Sequence, residues 1–244
     1  MVILDLEDGV NAVDRAAART ALIENLLDPA RTIVRVNPVP SQDFGLDLEA
    51  LAHTPYSLVM LAKTESGDQV QALSGRGVIA LCETAKGVLE SSSIARAEST
   101  VALMWGAEDL LVSLGGRTSR NEDGGYRDVA NFARSQVLLS ARAHDRVAID
   151  AIHLDIADVD GQREEARDAA ASGFSATACI HPSQVEVVRA AYRPTDEELA
   201  WASAVIRAST TERGVFRYEG RMIDAPLLRH AERILSHDAG LVDE

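Results

Sequence analysis

The sequence predicts an α/β protein: a (β/α)8 TIM-type barrel that lacks its first βα unit and carries a helical extension at its C-terminus. Three observations lead there. Short β-rich runs alternate with longer helical patterns along most of the chain, as repeated βα units do. The runs end, one after another, in charged or polar residues, as barrel strands do at the face where their chemistry sits. The chain has 244 residues, and one barrel of about 250 residues accounts for that length.

The strand candidates are Val2–Leu6 (VILDL), Thr32–Val36 (TIVRV), Ser57–Leu61 (SLVML), Gly77–Leu81 (GVIAL), Val101–Trp105 (VALMW), Ala148–Leu154 (AIDAIHL) and Ser175–Ile180 (SATACI). Between them, Ala12–Leu27, Ser66–Leu73, Ala85–Ala97, Arg127–Ala143 and Gly161–Ala171 repeat small or apolar residues at three- and four-residue spacing, which predicts outer helices. A closed parallel barrel of this type uses eight strands. These runs are one fewer and the chain opens directly on the first, so an N-terminal βα pair is the expected missing unit.

After the last run, Pro194–Ser209 reads as a helix capped by Thr195, GVFRYEGRMID as a small hairpin, and Ala225–Leu235 as a final helix. The expected division is a barrel over residues 1–193 and an extension over 194–244. The extension exceeds what a barrel needs, and its Phe216 and Tyr218 among charges suit packing on a neighbouring subunit.

Hydrophobic residues make up 46% of the chain and charged residues 25%, far from the composition of a disordered segment. The net charge of −14 argues against a nucleic-acid binder, which needs a basic face to displace counterions. No apolar run approaches the roughly 18 residues of a membrane span, and neither terminus carries a signal pattern. The expectation is a cytoplasmic protein with no nucleic-acid or membrane partner. Cys82 and Cys179 lie in apolar runs without metal-type spacing and read as reduced thiols.

The run ends carry the candidate chemistry. In order they offer Glu7 and Asp8, Arg35 and Asn37, Lys63, Glu83, Glu108 and Asp109, His153 and Asp155, and His181. Singly, each has an ordinary structural explanation as a helix cap or satisfied polar group. Together, carboxylates at one rim repel unless a cation joins them. Glu83 and Asp109, ending consecutive runs, suit Mg²⁺, which is held by one or two carboxylates with water and substrate filling the rest. Arg35 is placed either to bind a substrate carboxylate with its planar fork or to pair with Glu7 or Asp8. Gly106–Ala107 either lets backbone N–H groups approach a carboxylate or makes a tight turn.

The segments VILDLEDGV, IVRVN, ALCETAKGV, MWGAEDL, ACIHPSQ and GRMID, in that order from residue 2 to about 230, resemble the ordered motifs of citrate lyase β-subunit-like proteins of the HpcH/HpaI aldolase/citrate lyase family. The resemblance implies a Mg²⁺-dependent carbon–carbon lyase, cleaving or forming a small 3-hydroxyacyl thioester such as citryl-, malyl-, citramalyl- or hydroxymethylglutaryl-CoA to give a 2-oxo acid and an acyl thioester. It implies Glu83 and Asp109 as metal ligands, and Arg35 with Glu83, Gly106, Ala107 and Glu108 as the substrate site. Glu7 and Asp8 would line the metal's outer shell as catalytic groups, and Asp224 would be an acid/base donated by a neighbouring subunit of a homo-oligomer, a trimer. Ile180, His181 and Pro182 would border the thioester carrier, coenzyme A or an acyl carrier protein, with Arg15 and Arg19 at its phosphates. Family members begin with a strand bearing an aromatic–Pro–Ala motif and a helix that are absent here, the same gap that strand counting finds.

Rival readings are a Schiff-base aldolase on Lys63, a thioester hydrolase on the same site, and a non-catalytic subunit that keeps the fold. A charged Lys63 beside Glu83 disfavours the first, because a Schiff base needs the neutral amine.

Overall fold

The computed structural model describes residues 1–212 and 214–242, with residues 237–242 by backbone alone. Strands β1 (Val2–Asp5), β2 (Thr32–Val36), β3 (Leu58–Leu61), β4 (Gly77–Cys82), β5 (Thr100–Trp105), β6 (Val147–Asp150) and β7 (Ala176–Thr177) pair in chain order, each parallel to the next. They form one curled seven-stranded sheet, a TIM-barrel-like half-barrel. Among the described residues no ladder joins β1 to β7, so these two are its edges.

Helices α1 (Arg15–Glu24), α2 (Gln42–Ala52), α3 (Gly67–Gln71), α4 (Ala85–Leu89), α5 (Ser91–Arg96), α6 (Ala107–Leu114), α7 (Asp128–Ala143) and α8 (Val159–Ser172) connect the strands. The central strands are buried on both faces, which is why they read as continuous apolar runs. On one face Ile33, Met60, Ile79, Leu81, Ala102 and Met104 form a core cluster, joined by Leu58, Ile149, Ile152 and Ala178. Residues of opposite parity along the strands, Val34, Val36, Val59, Leu61, Val78, Ala80 and Leu103, are also fully sequestered.

Two predicted strands end early. The run from Ala148 stops pairing at Asp150, whose carboxylate accepts the N–H of Ala151 (3.0 Å). The run Ser175–Ile180 pairs only at Ala176–Thr177, where β6 is its single neighbour. The predicted helix Ala85–Ala97 is two helices with a turn at Glu90. Helices α2 and α6, with α9 (Pro182–Tyr192), were not anticipated as helices.

The chain forms two compact units, Met1–Leu154 with Ala169–Ile180, which holds the sheet, and Asp155–Asp168 with His181–Glu244. In the second unit, α10 (Asp196–Ser209) starts in a capping box. Thr195 Oγ1 accepts the N–H of Glu198 (3.2 Å), and Glu198 Oε2 accepts the N–H of Thr195 (2.7 Å). The expected hairpin is β8 (Phe216–Tyr218) against β9 (Arg221–Ile223), joined through Glu219 and Gly220, both at positive φ as a tight antiparallel turn requires. It packs Phe216 and Ile223 with Ala202 and Val205 of α10 and Ala231 of α11 (Ala225–Val242). No helix among the described residues is long and apolar enough to cross a membrane.

Candidate active site

The C-terminal ends of β1 to β5 bring together most of the rim residues. After β1 the chain coils on itself: Asp5 Oδ1 accepts the N–H of Glu7 (2.9 Å) and Asp5 Oδ2 that of Gly9 (2.9 Å), while Glu7 Oε2 accepts the N–H of Asp8 (2.8 Å). Glu7 is buried and Asp8 exposed. From β2, Arg35 Nε donates to Asp5 Oδ1 (2.7 Å), its Nη2 pairs with Asp5 Oδ2, and its Nη1 lies 3.4 Å from Glu7 Oε2. The ion-pair alternative for Arg35 is therefore realised chiefly with Asp5, a residue the sequence reading did not single out, and with Glu7 rather than Asp8.

Lys63 follows β3. Its ammonium pairs with Glu7 Oε1, with Asp8 Oδ2 at 2.7 Å and with Asp109 Oδ1 at 3.4 Å, while its backbone N–H donates to Glu83 Oε1 (3.0 Å). Glu83 directly follows β4 and is 3% exposed. Thr84 next to it caps α4 by accepting the N–H of Gly87 (3.0 Å), which fixes where the chain leaves the strand.

Asp109 is not at a strand end as the sequence suggested. β5 stops at Trp105, Gly106 is the N-cap, and Glu108 and Asp109 lie in the first turn of α6, where the helix dipole favours carboxylates. Glu108 turns to the following loop, accepting from Ser119 Oγ (2.7 Å). Gly106 and Ala107 open the helix beside Glu83, and a Cβ at Gly106 would stand 2.9 Å from Glu83 Oε2.

The electrostatics follow from this crowding. Burial pushes the Glu83 carboxyl up to about 8, and the negative charge of Asp109 adds to the rise. Burial also raises Glu7, against the opposing pull of the Lys63 ammonium. At Asp5 burial acts upward, yet the bonds from Arg35 and the backbone outweigh it and hold the carboxyl below its ordinary value; Lys63 does the same for Asp8. Desolvation acts to lower Arg35 and Lys63, but their carboxylate partners more than offset it and both are raised. Lys63 is thus held as an ammonium, which removes the neutral amine a Schiff base needs.

The donor set fits a hard divalent cation. Asp109 is close enough for its charge to disfavour ionisation of Glu83, and both side chains offer oxygen. Among the described residues no group of three or more His, Cys, Asp or Glu is arranged to hold a metal ion. A protein pair supplemented by water and substrate is the Mg²⁺ pattern, not the closed zinc one.

The remaining predicted residues lie elsewhere. Arg15 Nη1 binds Asp43 (2.6 Å), and Arg19 binds Asp43 (2.5 Å) and the fully buried Asp47 (2.7 Å), so both guanidiniums sit in an ion-pair cluster between α1 and α2. Asp47 Oδ2 in turn accepts from the side chain of Asn37 (2.8 Å), whose Nδ2 also reaches Leu6 O (2.7 Å) and ties β1 to β2. Ile180 is exposed past β7, and His181 and Pro182 open α9, with His181 Nδ1 accepting the N–H of Ser183 (3.2 Å). Asp224 precedes α11 and accepts the N–H of Leu227 (3.2 Å). Cys82 is buried and Cys179 partly so, both as free thiols raised by burial.

Comparison with known proteins gives consistent matches. A family model described as HpcH/HpaI aldolase/citrate lyase matches residues 1–182. A citrate lyase subunit beta-like protein of Mycobacterium tuberculosis is 58% identical over 235 residues, covering 96% of this chain and 86% of the relative. The mitochondrial citramalyl-CoA lyase of Homo sapiens is 32% identical over 268 residues, covering 96% and 77%. Among solved structures, protein CitE from Mycobacterium tuberculosis in complex with magnesium, acetoacetate and coenzyme A superposes with a TM-score of 0.96 at 57% identity, covering 98% of this chain and 90% of that one.

Proposed function

The chain belongs to the HpcH/HpaI aldolase/citrate lyase family, and we propose that it is a Mg²⁺-dependent carbon–carbon lyase acting on a small 3-hydroxyacyl-CoA. The observation that carries this reading is the buried Glu83 beside Asp109, at a rim that also presents Arg35. The relatives support it: one is named for citramalyl-CoA cleavage, and a structure 57% identical holds magnesium and coenzyme A.

Glu83 and Asp109 would hold the metal. When bound, Mg²⁺ supplies a Lewis acid for the carboxylate and the oxygen at which charge develops. Arg35, oriented by Asp5, binds the substrate carboxylate, and the N–H groups of Gly106, Ala107 and Glu108, which the start of α6 leaves without intrahelical partners, would meet it with the positive end of the helix dipole. Glu7 and Asp8 would receive the hydroxyl proton as the Cα–Cβ bond breaks to give a 2-oxo acid and a thioester enolate. Asp224 from a neighbouring subunit of a homotrimer then delivers a proton to the enolate carbon, with the 194–244 extension as the element that carries it there. Ile180, His181 and Pro182 border the carrier. Arg15 and Arg19 contact its phosphates only by sharing guanidinium edges now held by Asp43 and Asp47.

The test is a mass-spectrometric screen of malyl-, citramalyl-, citryl- and hydroxymethylglutaryl-CoA with Mg²⁺. Release of a 2-oxo acid or 3-oxo acid with an acyl-CoA from one of them, abolished by EDTA, is expected. Free CoA with an intact hydroxy acid would instead show a hydrolase.

A further inference from the structure

Lys63 is where the rim departs from ordinary backbone geometry. It is a non-glycine residue with φ of 49°, a left-handed conformation that disfavours L-residues and persists only where the surroundings over-determine it. Here they do. The N–H of Ala62 donates to Val36 O (3.3 Å), the N–H of Thr64 to Leu81 O (2.9 Å) and Thr64 Oγ1 to Leu61 O (2.7 Å), so both neighbours are pinned to adjacent strands. Lys63 alone turns its N–H to Glu83, and its side chain crosses to Glu7, Asp8 and Asp109. One residue therefore touches both carboxylates of the candidate metal pair. The only other lysine, Lys86, pairs with Glu65 on the surface.

We propose that Lys63 is a built-in counter-cation that competes with the divalent ion for Asp109 and keeps metal binding weak until an anionic substrate arrives. The inference rests on the metal reading above. An ammonium is a compact point charge, the side chain that most resembles a metal ion to a carboxylate. With its nitrogen 3.4 Å from Asp109 Oδ1 and only 28% of the side chain exposed, solvent does not fully screen its repulsion of a second cation on the same carboxylate. A 2-oxo acid brings its own negative charge and offsets that repulsion. Metal and substrate anion must then strengthen each other's binding, by the same factor in both directions.

Lys63 is on this account a positioning residue, and its removal has an unusual signature. Damage to a site weakens metal binding, whereas loss of a competing charge tightens it. Mn²⁺ affinity would be measured at pH 8.5 by electron paramagnetic resonance, with and without saturating pyruvate, for the full-length wild type and three variants. The wild type should bind Mn²⁺ weakly alone and about tenfold more tightly with pyruvate. Lys63→Met should bind Mn²⁺ alone at least about tenfold more tightly than wild type, with a smaller pyruvate effect. Lys63→Gly suits the left-handed backbone and keeps the N–H to Glu83, so it secures the result if the methionine variant folds poorly. Lys63→Arg keeps the charge and should match wild type. Uncharged variants that bind Mn²⁺ no more tightly than wild type would overturn the inference while leaving the metal site standing, as would an equal gain in Lys63→Arg. If no form binds Mn²⁺ under either condition, the metal reading falls and the inference with it.

Discussion

Gly106 and Glu83 leave no room between them: a Cβ at Gly106 would stand 2.9 Å from Glu83 Oε2 and 3.1 Å from Glu83 Cβ. The carboxylate cannot simply swing away, because its other oxygen is held by the N–H of Lys63 and the side chain is buried. Gly106→Ala should therefore displace Glu83 while the fold survives. Mg²⁺ affinity, read from the metal dependence of turnover, should fall about tenfold to a hundredfold, the range for residues that orient a metal ligand. Unchanged affinity would show that Glu83 is not the ligand or that it shifts freely.

Glu83 also makes the metal-free protein sensitive to pH. Its folded carboxyl titrates at about 8 against an ordinary value of 4.5. The unfolded chain gives up this proton first, so the group contributes stability that is fully present below about 4.5 and lost by about 8. Glu83→Gln keeps an acceptor for Lys63 N–H without that loss. In EDTA its Tm should match wild type near pH 5 and exceed it at pH 9 by roughly 5 °C or more. An equal difference at both pH values would remove Glu83 as the source.

Arg35 is held at Asp5 by two bonds, leaving Nη1 turned to Glu7. Arg35→Lys keeps the charge but not the fork, and kcat/KM should fall by about a hundredfold, equivalent to roughly 3 kcal/mol. Asp5→Asn should cost less, about tenfold, since it loosens the guanidinium without removing it. Wild-type kinetics for Arg35→Lys would assign the residue to structure.

The central strands were legible because they are buried on both faces and therefore largely apolar; β2, expected at Thr32–Val36, is found there residue for residue. The cap at Thr195 was legible because its hydroxyl and Glu198 stand at capping-box spacing. Helix α6 was not, because GAEDL begins where a strand ends and its acidic first turn looks like a polar strand terminus. Helix α2 hides behind Gly45 and a polar start. At the rim, Glu7, Asp8, Arg35, Glu83 and Asp109 do converge. Asp5 was missed inside the apolar alternation of VILDL, and the span of Lys63 depends on a left-handed backbone that nothing about a lysine announces.

The shared-site proposal predicts complementation. Asp224→Ala and Asp109→Ala should each be inactive alone. Mixed under conditions that exchange subunits, they should regain activity at interfaces that pair an intact metal site with an intact Asp224. Verified exchange with activity still at zero would leave Asp224 to its observed role, accepting the N–H of Leu227 at the start of α11.

On the proposed mechanism, Glu83 and Asp109 hold the ion that carbon–carbon cleavage requires. The measurement is the rate of 2-oxo acid release from citramalyl-CoA and malyl-CoA as Mg²⁺ is titrated from EDTA-treated protein, for wild type and Asp109→Ala. Saturable, Mg²⁺-dependent release by the wild type, with no release by Asp109→Ala at any Mg²⁺ concentration and an unchanged circular dichroism spectrum, is the predicted result. Release by the wild type in EDTA, or by Asp109→Ala at the wild-type rate and Mg²⁺ dependence, would contradict it.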